Sequence, residues 1–326
     1  MNNIFNPSST DLGDAAKELL YAQKKDWKLL ADGSKSLQTI ELKSFDFDNF
    51  SLKVQFNPGR IVSTGAKVDT KSIKERKCFL CPRNLPPEQK GILYREEYLL
   101  LCNPFPIFPE HFTIPGIEHK PQSITGAFGH MLDLSRDLSK YYIVFYNGPK
   151  CGASAPDHFH FQAGDKFFMP IDKDYDNLIH KCSFPVFENS GIKITAIDDS
   201  LRKMISFECG NKELLESSLN KFMDCYQSFT EATEEAMMNV LAFHNEGLWR
   251  IIIMLREKHR SSHYFREGDD KIMLSPASVD LGGVCITPLE KDFKKIDTNT
   301  LKEIFTEVFI SRQKLENLAS RLKKIF

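Results

Sequence analysis

The chain has 326 residues, 41% of them hydrophobic, and its 43 lysines and arginines nearly balance 44 aspartates and glutamates, for a formal net charge of -1. That is enough apolar material for one large core or two closely packed halves, and the missing basic excess argues against a general nucleic-acid binder. No apolar run reaches the roughly eighteen residues of a membrane span, and the opening stretch MNNIFNPSSTDLGDAAKELL lacks the layout of a secretory signal, so a cytoplasmic location with no membrane partner is expected.

Residues 11–30 set Leu12, Ala15, Leu19, Leu20 and Trp27 at helical spacing, and Asp32-Gly33 is expected to close that helix. Short strand-like runs follow, LKVQF, ILYREEYLLLCNPF and HFTIP, each bounded by proline, glycine or asparagine. Residues 122–138 carry a helical stripe of Ile124, Phe128, Met131, Leu132 and Leu138. YYIVFYNG and HFHFQAG then read as strands joined by the turn-rich PKCGASAPD. The second half has the same texture. IKITAI, MISFEC, WRIIIMLRE, KIMLS and GVCITP read as strands, residues 213–229 and 231–243 as helices, and residues 300–326 as one long amphipathic helix. Helices and strands that come in groups predict an α+β fold with a largely antiparallel sheet.

Residues 147–162, NGPKCGASAPDHFHFQ, carry the most chemistry. On a strand the period-two alternation sets His158, His160 and Gln162 on one face and packs Phe159 and Phe161 behind them. Three hydrogen-bonding side chains on one face need partners, which a metal and a phosphate would supply; an ordinary half-buried strand with a polar outer face is the competing explanation. In the preceding loop Gly148, Gly152 and Ala153 let backbone amides approach an anion, Ser154 adds a hydroxyl, and Asn147 stands where its amide can fix the loop. Of the eight cysteines only Cys78 and Cys81 are spaced like ligands. Cys102, Cys151, Cys182, Cys209, Cys225 and Cys285 read as small buried hydrophobes. The C-x-x-C pair lacks the strand–helix context of a redox motif, and zinc there would need two more ligands. Asn103 to His111, NPFPIFPEH, reads on its own as a proline-broken edge strand.

The stretch NGPKCGASAPDHFHFQ resembles the signature of the galactose-1-phosphate uridylyltransferase and diadenosine tetraphosphate phosphorylase branch of the histidine-triad superfamily: an asparagine, a glycine-rich loop with Gly-x-Ser, then His-x-His-x-Gln. The resemblance implies two fused histidine-triad-like halves, residues 1–180 with both motifs and 181–326 ending in the C-terminal helix. It implies that His160 attacks a nucleotide phosphorus and carries the nucleotide covalently, with Gln162 and Ser154 assisting. Asn103 and Phe105, in a segment that resembles the Asn-x-Phe-Pro of the same enzymes, would line the substrate pocket with Asn147, Gly152 and Ala153. A structural zinc would take Cys78, Cys81, His158 and a histidine between them. His119 is preferred because it precedes the helix expected at Gln122, and His111 competes.

The donor implied is a nucleotide sugar or a dinucleoside polyphosphate, the acceptor phosphate or a sugar phosphate. The metal leans toward the sugar-nucleotide side, because diadenosine tetraphosphate phosphorylases do without it. Relatives often pair, so a homodimer is among the expected assemblies. Gln162 stands where hydrolases of the superfamily carry a third histidine; a nucleotide hydrolase and a silent zinc-stabilised nucleotide-binding protein are the alternatives. Phe159 and Phe161 replace the usual proline and glycine of the uridylyltransferases, which bears on sugar and base preference. Residues 256–260, REKHR, read first as a solvated turn and second as a clamp for the leaving sugar phosphate, and residues 275–283 as a candidate second phosphate-side loop that matches the family at no single residue. His130, His180, His244 and His263 read as ordinary surface or core histidines.

Overall fold

The structure, a computed structural model, describes residues 3–61, 70–189 and 191–326. Among these residues ten strands join into one sheet, antiparallel throughout. From one edge run β3 (Gly91–Tyr94), β4 (Tyr98–Cys102), β5 (His111–Pro115), β7 (His160–Asp165) and β6 (Tyr142–Asn147). From the other edge run β8 (Ser183–Asn189), β9 (Ile192–Asp198), β10 (Lys203–Cys209), β12 (Leu248–Leu255) and β11 (Met238–Asn245). The two runs follow the same path in chain order and meet at the β6·β11 pair, where Asn147 stands opposite Asn239. A helix precedes the innermost strand in each run, Phe128–Asp137 before β6 and Lys212–Thr230 before β11. A smaller sheet is built from β1 (Glu41–Asp46), β2 (Ser51–Phe56) and β13 (Val284–Thr287). Its β2·β13 pair is parallel and brings residues from near the C-terminus beside the first half.

Both faces of the large sheet are covered, which explains its nearly continuous apolar strands. Tyr142, Val144 and Tyr146 enter one core with Ile251, Ile253 and the helices Phe128–Asp137 and Lys212–Thr230, whereas Ile143, Phe145, Ile252 and Met254 enter the other with Tyr175, Val284 and Phe305. Strand β7 divides the same way: Phe161 and Ala163 join the first core, so His160 and Gln162 face the opposite side.

Several expectations need correction. His158 lies just before β7 instead of on it. Residues 231–243 do not form a helix. Glu231 ends the helix Lys212–Thr230 in a left-handed conformation (φ 53), and Met238 onward pairs as β11 between β6 and β12. Eight apolar residues suit a helix or a buried strand equally, and sheet pairing decides. KIMLS joins no sheet among the described residues, and the Leu274 amide turns back to the Ile272 carbonyl at 2.9 Å. The C-terminal segment is two helices, Thr298–Val308 and Arg312–Ile325, broken where the Ile310 amide bonds to the Leu255 carbonyl and Ser311 caps the second helix. The first helix ends at Asp26 with Trp27 extended, and a second follows, Lys28–Ser36, so Gly33 lies inside a helix. A Cβ there would sit 2.1 Å from the Pro104 carbonyl oxygen, so the glycine permits contact with the Asn103–Phe105 segment.

Candidate active site and metal pocket

A cavity of about 480 Å³ opens on the sheet face that His160 and Gln162 occupy. Its wall includes His160, Gln162, Ser154, Asn103, Phe105, Asn147, Gly152 and Ala153, residues that the sequence motifs placed in catalysis or substrate binding. A volume of this size suits a small organic ligand.

The His160 ring is oriented by its own backbone. Its Nδ1 lies 2.8 Å from the His158 carbonyl oxygen, an acceptor, so Nδ1 carries the proton and Nε2 keeps its lone pair. The residue is 3% exposed, and burial pulls its imidazole down to about 4, so the ring is neutral near pH 7. Gln122 fixes the strand beneath it. Its Oε1 accepts from the His160 amide at 2.8 Å, and its Nε2 donates to the carbonyls of His160 at 3.0 Å and Asn147 at 2.9 Å. Gln122 therefore fills the gap where β6 and β7 diverge around the loop between them. It lies outside the helix expected from position 122, which begins at Phe128.

Gln162 has its amide sense set from behind. The Ile107 amide donates to Nδ1 of His111 at 3.2 Å, so the proton sits on His111 Nε2, 3.1 Å from Gln162 Oε1. With its oxygen engaged, Gln162 has its NH2 group to offer a ligand oxygen. His111 is buried on β5, and desolvation holds it neutral at about 3.

The glycine-rich loop is clamped by the second half. Asn147 Oδ1 accepts from Asn239 Nδ2 at 2.7 Å and from the Ser278 amide at 2.8 Å, and Asn239 also donates to the Cys151 carbonyl. Gly152 has φ +94, and a Cβ on it would meet the Ala277 Cβ at 2.5 Å. The 256–260 cluster is a solvated turn only at Glu257 and Lys258. Arg256 is 2% exposed, and its guanidinium donates to Asn239 Oδ1 and to the carbonyls of Pro276, Lys258 and His259. It thereby holds His259 and Arg260 against the cavity, together with Ser275, Ala277, Val279 and Asp280.

Beside this cavity Cys78, Cys81, His119 and His158 gather their donor atoms within 4.8 Å of one another. His158 Nδ1 lies 3.2 Å from Cys78 Sγ and 3.6 Å from Cys81 Sγ, and His119 Nδ1 lies 3.2 Å from Cys81 Sγ. A tetrahedral zinc with these ligands has S···N edges of about 3.5 Å, so the donor set and its spacing fit that ion. His158 Nε2 stands 2.7 Å from the Gly116 carbonyl, and the Asp157 carboxylate, paired with Arg76, lies 3.9 Å from His119 Nε2. Such outer partners orient imidazole ligands. His111 stands apart from this group, behind Gln162.

Among solved structures, yeast Ap4A phosphorylase Apa2 aligns over 93% of this chain and 95% of its own, with TM-score 0.59 and 19% identity. The chain shares the fold of yeast Ap4A phosphorylase. That is the fold branch the His-x-His-x-Gln signature pointed to. The complex of the same yeast phosphorylase with AMP aligns over 90% of this chain and 96% of its own, with TM-score 0.58 and 19% identity. A uridylyltransferase mutant aligns more loosely, over 76% of this chain and 92% of its own, with TM-score 0.42 and 12% identity. Residues 19–165 match the family model described as a domain of unknown function, DUF4922. No curated protein sequence is significantly similar to the chain.

Several residues of this cavity lie outside the sequence motifs. Arg60, whose Nη1 donates to the Phe105 carbonyl at 2.6 Å, follows β2 in an ordinary Pro-Gly-Arg turn. His259, Arg260 and Asp280 arrive from the second half. Burial pushes the Asp280 carboxyl up to about 6, while its oxygens accept from the amides of Ala277 and Ile286. Arg60 has no local mark, whereas His259, Arg260 and Asp280 fall in the 256–260 cluster and the 275–283 loop, and the Arg256 network and the β2·β13 pairing carry them to the site.

Proposed function

We propose that the chain is a nucleotidyltransferase or phosphorylase that passes a nucleoside monophosphate through a covalent adduct on His160. The observation that carries this is the His160 tautomer: Nδ1 is committed to the His158 carbonyl, and the residue lines a cavity beside Ser154 and Gln162. A neutral imidazole with a free Nε2 is a competent nucleophile toward phosphorus. In the first half-reaction the Nε2–P bond forms as the P–O bond to the leaving group breaks, and the electron pair stays on the leaving oxygen. In the second, an acceptor oxygen attacks phosphorus and the N–P electron pair returns to Nε2. Nδ1–H stays bonded to the carbonyl throughout, where it stabilises the cationic ring of the adduct. The Gln162 NH2, the Ser154 hydroxyl and the loop amides can donate to nonbridging oxygens as charge shifts between them. Fold kinship with yeast Ap4A phosphorylase, also solved with AMP, supports a nucleotide donor such as a nucleotide sugar or dinucleoside polyphosphate.

Cys78, Cys81, His119 and His158 would hold zinc as a structural ion, since four protein ligands leave no open position. Bound there, it would tie the Cys78 loop to the residues that lead into β7. The matching strand paths support two fused units, residues 1–180 and 181–326. Only the first has a long loop between its last two strands, residues 148–159; the second closes the corresponding hairpin with Glu246-Gly247. Eight free thiols fit a reducing cytoplasm, and among the described residues no helix is long and apolar enough to cross a membrane.

The test is incubation with α-labelled nucleotide sugars and dinucleoside polyphosphates, followed by denaturation. An acid-labile, base-stable label is expected on wild type and on His130→Ala, and none on His160→Ala. Label on His160→Ala would refute the proposal. Free nucleoside monophosphate forming without any acceptor would mark a hydrolase instead.

A further inference from the structure

Between the helix Lys212–Thr230 and β11 the chain carries a carboxylate that reaches back into the first half. Glu235 is partly buried. Its Oε1 accepts from the Tyr146 hydroxyl at 2.6 Å, and its Oε2 accepts from the Ile124 amide at 2.6 Å and the Ser123 hydroxyl at 3.0 Å. Among the described residues no cation pairs with it, whereas its neighbour Glu234 pairs with Lys150 at 2.8 Å. Ser123 and Ile124 directly follow Gln122, the residue that bonds to the His160 amide and to the His160 and Asn147 carbonyls. Tyr146 directly precedes Asn147 on β6. A Cβ on Gly148, the first residue of the glycine-rich loop, would come within 3.5 Å of Glu235 Oε1 and 2.8 Å of the Met238 carbonyl oxygen. One carboxylate thus ties together the two backbone segments that flank Gln122.

We propose that Glu235 is a positioning residue for His160: its carboxylate holds the 122–125 segment against β6, and Gln122, seated between them, holds the His160 end of β7. The proposal rests on the His160 reading and adds that a group from the second half sets how His160 meets a donor. Every hydrogen-bonding group that faces the carboxylate is a donor: the Tyr146 and Ser123 hydroxyls and the amides of Ile124 and Thr125. An ionised carboxylate accepts from all of them, whereas a carboxamide or a protonated carboxyl turns hydrogens of its own toward donors. Its charge therefore matters as well as its shape. Burial holds the Glu235 carboxyl above its ordinary 4.5 and pulls His160 down to about 4, so on acidification Glu235 takes up a proton before His160 does. The Tyr146 hydroxyl and the nearby Cys151 thiol stay neutral through that range, because burial raises both. Acid should loosen the Gln122 contacts while the imidazole is still neutral.

Nitrogen-15 NMR of the full chain with labelled histidines reads His160 without a ligand, its resonances being those lost in His160→Ala. Wild type near pH 7 should show a protonated Nδ1 and a bare Nε2. On acidification those resonances should shift in a step above pH 4.5, before the ring protonates. Glu235→Gln should show the displaced resonances already near pH 7 and no such step, and Glu235→Asp should recover part of the wild-type spectrum. Ser123→Ala deletes one donor to the carboxylate, so its step should move to higher pH. Glu234→Gln should match wild type throughout. With an α-labelled dinucleoside polyphosphate, Glu235→Gln should lower the labelling rate at saturating donor roughly tenfold or more and leave KM nearly unchanged. A wild-type His160 spectrum or labelling rate in Glu235→Gln, or a step that Ser123→Ala leaves in place, would overturn the proposal. If Glu235→Gln does not fold, Ser123→Ala still decides. Resonances that follow Glu235 while no label ever forms would keep the positioning role and refute the His160 transfer.

Discussion

Replacing Gln122 with methionine keeps the side chain's length and removes its hydrogen-bonding groups. Gln122 is 3% exposed and serves three backbone groups, the His160 amide and the carbonyls of His160 and Asn147. Each buried group left without a partner costs about 1–3 kcal/mol. Partial relaxation or an admitted water lowers the sum, so about 3–5 kcal/mol is expected, a large share of the roughly 5–15 kcal/mol that holds a domain together. The strand end would also shift under His160, and a displacement of about 1 Å costs on the order of a hundredfold in rate. Urea denaturation with an unchanged m-value gives the stability term, and the rate of adduct formation on the folded fraction gives the positional one. Stability within about 0.5 kcal/mol of wild type together with wild-type labelling would show that Gln122 does not hold the His160 strand.

Other substitutions probe separate parts of the site. Cys78→Ser should abolish stoichiometric zinc measured by elemental analysis and lower the unfolding midpoint; a full zinc complement in that variant would discredit the metal assignment. Gly152→Ala should slow labelling at least tenfold, since the residue combines φ +94 with a 2.5 Å approach to Ala277 and strain of about 1–3 kcal/mol is expected from such a conformation; wild-type kinetics would mean the loop relaxes freely. His111 supplies a pH test. Its native value near 3 lies below the unfolded value of 6.5, so on acidification the unfolded chain takes up a proton that the native state excludes. Its contribution is complete above pH 6.5 and is lost as pH falls from there toward 3, at up to about 1.4 kcal/mol per pH unit. Urea midpoints across that range should therefore fall less steeply for His111→Gln than for wild type, and parallel slopes would contradict the buried neutral state.

What the sequence by itself determined is chemistry confined to a short span. The Cys78-x-x-Cys81 spacing, the alternation of Phe159, His160, Phe161 and Gln162, and the small residues from Gly148 to Ser154 depend on neighbours a few positions away, so local geometry reveals them. Tertiary structure decided the rest. His111 opens β5 and His119 follows it, and only the fold separates their roles, one locked behind Gln162 and the other turned to the cysteines. Residues 231–243 have apolar content that suits either helix or strand, and pairing with β6 and β12 made their second part a strand. Arg60 bears no local mark of function, Arg260 sits in a basic cluster that reads first as a solvated turn, and Asp280 lies in a loop that matches no motif. They reach His160 because Val284–Thr287 pairs with Lys53–Phe56 and because Arg256 ties the 258–260 corner to Asn239. Contacts between residues some two hundred positions apart depend on how two sheets and two halves pack, which no window of sequence contains.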